Sequence, residues 1–198
     1  LERWLPFVGN ANLDITSFQT KAEPRNDAAV AWANRVADAG RIIPISFDET
    51  GQFAPDERAL ARHVVWATYL GGGNYEIFTR LSKAGYEPFT DIFADMTRAR
   101  TFVESVPYWK MRALNSLLTN GEGYLLAQPG EFYLSYLPRG GTITLDLTAV
   151  NGDFQTQWYD PRTGLYTDGG VLTGGNLQNL TAPFADKAAE RLTRIIDQ

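Results

Sequence analysis

The sequence predicts an α/β half followed by an all-β half: β/α units around a parallel sheet, then a small antiparallel β-sandwich. Three observations carry this. Residues 12–79 alternate short apolar strands with helical patterns in the order β-α-β-α-β, which argues a parallel sheet. The apolar run Ile42 to Phe47 stops abruptly at Asp48 and Glu49, as a buried parallel strand does at its carboxyl end. After Thr119 the texture changes to short strands spaced by turn dipeptides. The boundary is therefore expected near residue 119, with halves 1–118 and 119–198.

Asn12 to Thr20 reads as the first strand, with Leu13, Ile15 and Phe18 apolar. Residues 21–26, with Pro24, form a loop. Asp27 then caps a helix running to about Ala39, with Val30, Ala33, Val36 and Ala37 inward and Gly40 as its stop. Pro44 inside the next strand is an anomaly, because proline cannot donate to a ladder; an edge strand or a bulge would each accommodate it. Pro55 and Asp56 open a second helix in which Leu60, Val64 and Ala67, and also Val65 and Tyr69, recur at helical spacing. Gly71 to Gly73 stop it, and Asn74 to Thr79 is a third strand. Residues 81–88 are a loop. Asp91 to about Val106 is amphipathic on Ile92, Met96, Ala99 and Val103, and Pro107 breaks it. Tyr108 to Leu118 reads as a short helix or an irregular segment.

In the second half, residues 124–128, 132–137, 142–147 and 154–159 read as strands. Pro129-Gly130, residues 138–141 and residues 160–164 are turns, and Asn151-Gly152 is a hairpin signal. Residues 188–198 fit either a helix or a closing strand.

Composition narrows the partners. A hydrophobic content of 44% with 13% aromatics is enough for a core, and a net charge of −5 argues against nucleic acid or an anionic membrane. No run approaches the ~18 apolar residues that span a bilayer. The chain has no cysteine and one histidine, His63, so neither disulfides nor a histidine-based metal site is expected, and no cofactor is indicated. The lack of cysteine leaves the compartment open; a secreted or periplasmic location is compatible with it. Leu1 is not an initiator, and LERWLPFVGN reads like the interior of a longer chain, so an upstream segment is expected.

Glu49 leads the candidates for chemistry, because strand carboxyl ends gather catalytic groups in (β/α) folds and glycoside hydrolysis needs two carboxylates. Asp14, Asp48 and Glu76 stand at or near other strand ends. The plain alternative is that all four are solvated loop acids. Phe18, Tyr75 and Phe78 have the chemistry to stack on sugar rings, although such residues are more often core. Trp32, Trp66 and His63 lie within helices and read as packing residues. Gly71–Gly73 is no phosphate loop, since the lysine and hydroxyl of that motif are missing. The sequon at Asn179 carries little information.

The segment IPISFDETG, the following Asp-Glu-Arg helix start, and WATYLGGGNYEIF together resemble the last strands of a glycoside-hydrolase (β/α)8 barrel of the apiosidase-like type. The stretch from Tyr124 to Gly164, above all WYDPRTG at 158–164, resembles the collagen-binding type C-terminal β-sandwich of the same proteins. The resemblance implies terminal units of a TIM-type barrel followed by that sandwich. It implies Glu49 as the nucleophile of a retaining glycosidase acting on a plant or algal polysaccharide or oligosaccharide. The acid/base would lie upstream of this chain. Asp14 and Gln19 would line the cleft, with Asp48, Tyr75 and Glu76 as further substrate-binding residues. The tryptophan that relatives usually carry near Tyr75 is missing, and so is an Asp-Trp pair on the closing strand. The competing expectation is a non-catalytic module presenting Trp158, Tyr159, Tyr133 and Tyr136 to a glycan or matrix protein. A third is a structural role for the sandwich.

Overall fold

The computed structural model describes residues 2–19, 21, 24–49, 52–77 and 85–196. Two compact units divide within one helix, residues 1–97 and 98–198.

The first unit holds β1 (Thr16–Phe18), α1 (Asn26–Asp38), β2 (Ile45–Phe47), α2 (Arg58–Leu70) and β3 (Asn74–Tyr75). The strands form one parallel sheet in the order β1-β2-β3, with Phe18 in register with Phe47 and Phe47 with Tyr75. The β-α-β-α-β order expected from sequence is therefore present. β1 is shorter than expected: it starts at Thr16, and Ile15 is half exposed. Pro44 resolves simply. It stands just before the ladder of the central strand, and its carbonyl still accepts a 3.0 Å bond from the Thr16 amide. A proline leading into a strand loses no ladder donor, so neither an edge nor a bulge is needed.

Helices pack on the sheet face that carries Thr16, Phe18, Ile45 and Phe47. Trp32 of α1 meets Phe18 edge-on at 5.3 Å, and its indole Nε1 donates to Thr16 Oγ1 at 3.0 Å. That bond supplies the partner a buried indole needs. α1 begins at Asn26, two residues earlier than a cap at Asp27 would give, and Asp27 lies in its first turn without capping it. Its buried stripe is Asn26, Ala29, Trp32 and Val36, so Val36 alone among the expected inward residues is fully buried. The buried Asn26 donates Nδ2 to the Ala67 carbonyl at 2.9 Å and ties α1 to α2. Gly71 ends α2 where α1 comes closest: a Cβ there would lie 2.9 Å from Ala29 Cβ and from the Asn26 carbonyl.

α3 (Thr90–Val103) begins in the first unit. There Asp95, almost wholly buried, receives both Arg58, through Nε and Nη2 at 2.7 and 2.9 Å, and Arg62, through Nη2 at 2.8 Å. Arg58 and Arg62 are one turn apart on α2, so both reach the same carboxylate. Burial alone would raise the Asp95 pKa; the hydrogen bonds and charges of the two arginines outweigh it and hold the carboxyl below its ordinary value.

The second unit carries β4 (Arg112–Ala113), β5 (Leu118–Asn120), β6 (Tyr124–Gln128), β7 (Phe132–Leu137), β8 (Thr142–Asp146), β9 (Asp153–Tyr159), β10 (Tyr166–Thr173), β11 (Leu177–Thr181) and β12 (Ala188–Arg194). They build a six-stranded sheet, β10-β9-β12-β7-β6-β4, and a three-stranded sheet, β11-β8-β5; the pairings are antiparallel. One apolar core takes Leu125, Tyr133, Phe154, Trp158 and Leu192 from the larger sheet and Ile143, Leu145 and Leu180 from the smaller. Each fully buried side chain of this kind contributes about 1.5–3 kcal/mol.

One open alternative is decided here and one expectation fails, each for a physical reason. The last segment is a strand, β12, and it runs through the middle of the larger sheet between β9 and β7. A helix there would leave the facing edges of both strands unpaired. Asn151-Gly152 closes no hairpin, because β8 and β9 belong to different sheets and the turn carries the chain from one to the other. The Asp160 to Gly164 turn does join an antiparallel pair, β9 and β10. The buried Asp160 carboxylate latches it by accepting the Arg162 amide at 2.8 Å and the Arg162 guanidinium at 3.1 Å.

Candidate active site

Because β1, β2 and β3 run parallel and in register, the residues after Phe18, Phe47 and Tyr75 emerge together at the carboxyl edge of the sheet. The backbone continues the ladder by one step: the Asp48 amide donates to the Phe18 carbonyl at 2.9 Å, and the Glu76 amide to the Phe47 carbonyl at 3.0 Å. This places Gln19, Asp48, Glu49 and Glu76 at one edge.

Glu49 is exposed, and Gln19 Nε2 donates to its Oε2 at 2.8 Å. The Glu49 backbone has φ of 45°, the one positive value at a non-glycine position among the described residues. A left-handed conformation costs a glutamate roughly 1–2 kcal/mol, and such outliers concentrate at functional sites. Asp48 is half buried. Its two carboxylate oxygens accept hydrogen bonds from the Ser17 and Ser46 hydroxyls. Ser17 and Ser46 are register partners on β1 and β2, so the two strands hold one carboxylate between them. Their role was not visible in the sequence; the signal was a polar residue between apolar ones in each strand, meaningful only once the strands are known to be neighbours.

The other expected residues divide. Tyr75 is buried, in register with Phe47, and burial pushes its hydroxyl well above the ordinary range. That burial suits a wall residue better than a sugar-stacking platform. Glu76 is exposed at the same edge as Glu49. Asp14 is not at that edge. It precedes β1, at the amino end of the strands, where Arg41 Nη2 pairs with it at 3.2 Å. The resemblance alone placed Asp14 in the cleft; the parallel sheet leaves it at the amino end, opposite the edge that carries Glu49. Phe78 and the Thr50-Gly51 turn lie outside the described residues. No group of three or more acidic or histidine residues suited to a metal occurs among the described residues.

The fold is similar to that of several solved glycoside hydrolases. The fold matches a glycoside hydrolase at a TM-score of 0.72 and 13% identity, over 96% of this chain and 54% of that one. It matches a family 5 glycoside hydrolase from Bacteroides vulgatus at 0.71 and 15%, over 95% and 52%. A GH27 β-L-arabinopyranosidase from Geobacillus stearothermophilus matches at 0.52 and 10%, over 100% and 48%. At these identities the likeness establishes the fold alone. The chain spans about half the length of the first two of these structures. Residues 113–192 match the family described as "Putative collagen-binding domain of a collagenase". Curated protein sequences give no match. Among the described residues no helix is long and apolar enough to cross a membrane.

Proposed function

We propose that this chain is the C-terminal portion of a retaining glycoside hydrolase of the apiosidase-like type, acting on a plant or algal polysaccharide or oligosaccharide. Residues 1–118 are read as the last units of a (β/α)8 barrel and residues 119–198 as its β-sandwich. Glu49 is the nucleophile, and the general acid/base comes from a segment upstream. A secreted or periplasmic location goes with a polysaccharide substrate.

The observation that carries this reading is Glu49 itself: an exposed carboxylate at the carboxyl end of a central parallel strand, in a left-handed conformation and held by a neighbouring amide. Barrel enzymes draw their catalytic groups from that edge. The sheet supports a barrel wall in a second way, because α1 packs on the Phe18 face while the opposite face bears Ser17, Ser46 and Asn74.

The test is turnover of aryl glycosides by the full polypeptide that includes the upstream segment. Glu49→Gln should abolish turnover without unfolding the protein, and the isolated chain should be inactive. Full activity in Glu49→Gln, or robust turnover by the isolated chain, would overturn the reading.

A binding-module reading draws on the family match over 113–192. The four aromatics first expected to serve it do not, since Tyr133, Tyr136, Trp158 and Tyr159 are all buried. Tyr166 is the exposed ring within the matched stretch, and Trp109 lies just before it. Glycan or collagen binding that survives Glu49→Gln but is lost in Tyr166→Ala would favour the module.

A further inference from the structure

We infer that Gln19 is a positioning residue for Glu49, rather than a group that binds substrate, and that it leaves Glu49 Oε1 as the attacking oxygen. The inference rests on the nucleophile assignment above. Gln19 follows directly on β1 and Glu49 stands two residues beyond β2, so the 2.8 Å bond from Nε2 to Oε2 links adjacent strands across the edge where chemistry is expected. Among the described residues no hydrogen bond reaches Glu49 Oε1.

A glutamate side chain has three rotatable bonds, and an exposed one samples many rotamers. Two features fix this one. Its backbone is set by the left-handed φ that follows Asp48, and Asp48 is pinned by Ser17 and Ser46 from the two strands. Its carboxylate is set by Gln19. With Oε2 occupied, attack by Oε1 forms the ester bond to the anomeric carbon as the glycosidic C–O bond breaks. The leaving oxygen takes its proton from the carboxylic general acid of the upstream segment. In the resulting ester Oε2 is the carbonyl oxygen, and the Gln19 amide still faces it as a donor. One neutral donor therefore serves both halves of the reaction.

The experiment compares wild type with Gln19→Leu in the full polypeptide, using 2,4-dinitrophenyl 2-deoxy-2-fluoro-glycosides as trapping reagents. Their activated leaving group makes the trapping step independent of the general acid. A charge-assisted hydrogen bond is worth about 1.5–3 kcal/mol, so the limiting inactivation rate constant should fall roughly 10- to 100-fold in Gln19→Leu. The reagent's binding constant should stay unchanged. Because Gln19 is exposed, the melting temperature should not move. An unchanged limiting rate with weakened binding would overturn the inference and return Gln19 to substrate contact. A wild type that hydrolyses aryl glycosides but carries no label on Glu49 would overturn the nucleophile assignment, and this inference with it. Mass spectrometry of the labelled peptide separates the two failures.

Discussion

Glu190 sets a stability test of the second unit. It lies on β12, in the middle of the larger sheet, on the face shared with Ala188 and Leu192 of the core. Its register partners are Ser135 on β7 and Trp158 on β9, flanked by Tyr133, Leu137 and Thr156, and none of these is charged at neutral pH. Glu190 is 1% exposed, and among the described residues its Oε2 has no hydrogen-bond partner. Burial pushes its pKa from 4.5 up to about 8; Ser135 opposes that shift in part without closing a bond of good geometry to Oε2. Since the folded pKa is the higher one, the contribution to stability is fully present below the unfolded value near 4.5. It is lost as pH rises through the folded value. Between these limits the unfolded chain has released a proton that the folded unit keeps, so stability falls by about 1.4 kcal/mol per pH unit, or about 3 kcal/mol by pH 7. Glu190→Gln keeps the shape and removes the titration. Calorimetry from pH 5 to pH 8 should show the wild-type melting temperature falling and the variant's nearly flat. The curves should separate by on the order of 10 °C at pH 7 for a unit of this size. Parallel curves would refute the argument, because they would mean that Glu190 ionises freely in the folded state.

Asp95 gives the opposite slope: its pKa is held down, so its contribution is present above about pH 4 and lost as pH falls below that. Asp95→Asn should cost about 3–5 kcal/mol in denaturant titrations, as for a broken buried ion pair, and an unchanged midpoint would contradict it. Gly71→Ala should destabilise the first unit, because its Cβ would press on Ala29 and on the Asn26 backbone; thermal melts of that variant should lie well below wild type. Asp160→Ala should loosen the β9–β10 turn by about 1–3 kcal/mol, read as faster amide exchange at Arg162 and Gly164.

What was legible in the chain tracks how local the signal is. Glu49 was visible because an apolar run ending in carboxylates marks the carboxyl end of a buried strand without reference to anything distant. Ser17 and Ser46 were not, since a serine between apolar residues is unremarkable until register shows both facing one aspartate. Asp14 lay near the amino end even of the longer strand read from Asn12 to Thr20, so only the resemblance placed it in the cleft, and the parallel sheet puts it at the opposite edge from Glu49. Asp95 was hidden within a helical stripe expected to be apolar, and only the spacing of Arg58 and Arg62 on another helix accounts for it. β10 and β11 passed unnoticed because edge strands exposed over most of their length carry no apolar periodicity. β12 was ambiguous because its core face includes a glutamate, which no strand pattern anticipates.

The polar row across the parallel sheet bears most directly on what the first unit is part of. Ser17, Ser46 and Asn74 are in register across β1, β2 and β3. In a doubly wound sheet, helices cover both faces, and those three positions would be apolar like their neighbours. Here Phe18 and Phe47 are buried on the helix side, while Ser17 and Ser46 are half exposed and Asn74 exposed on the other. The polar row therefore argues against a second layer of helices on that face, and the carboxylate pair at the carboxyl end agrees with the barrel mouth proposed above. Ser46→Val puts the matter to measurement. If the row lines a doubly wound core, valine should stabilise the first unit by covering apolar surface. If it braces Asp48 at a catalytic edge, valine should leave an aspartate short of a donor, lower stability by about 1–3 kcal/mol, and reduce Glu49 trapping as well.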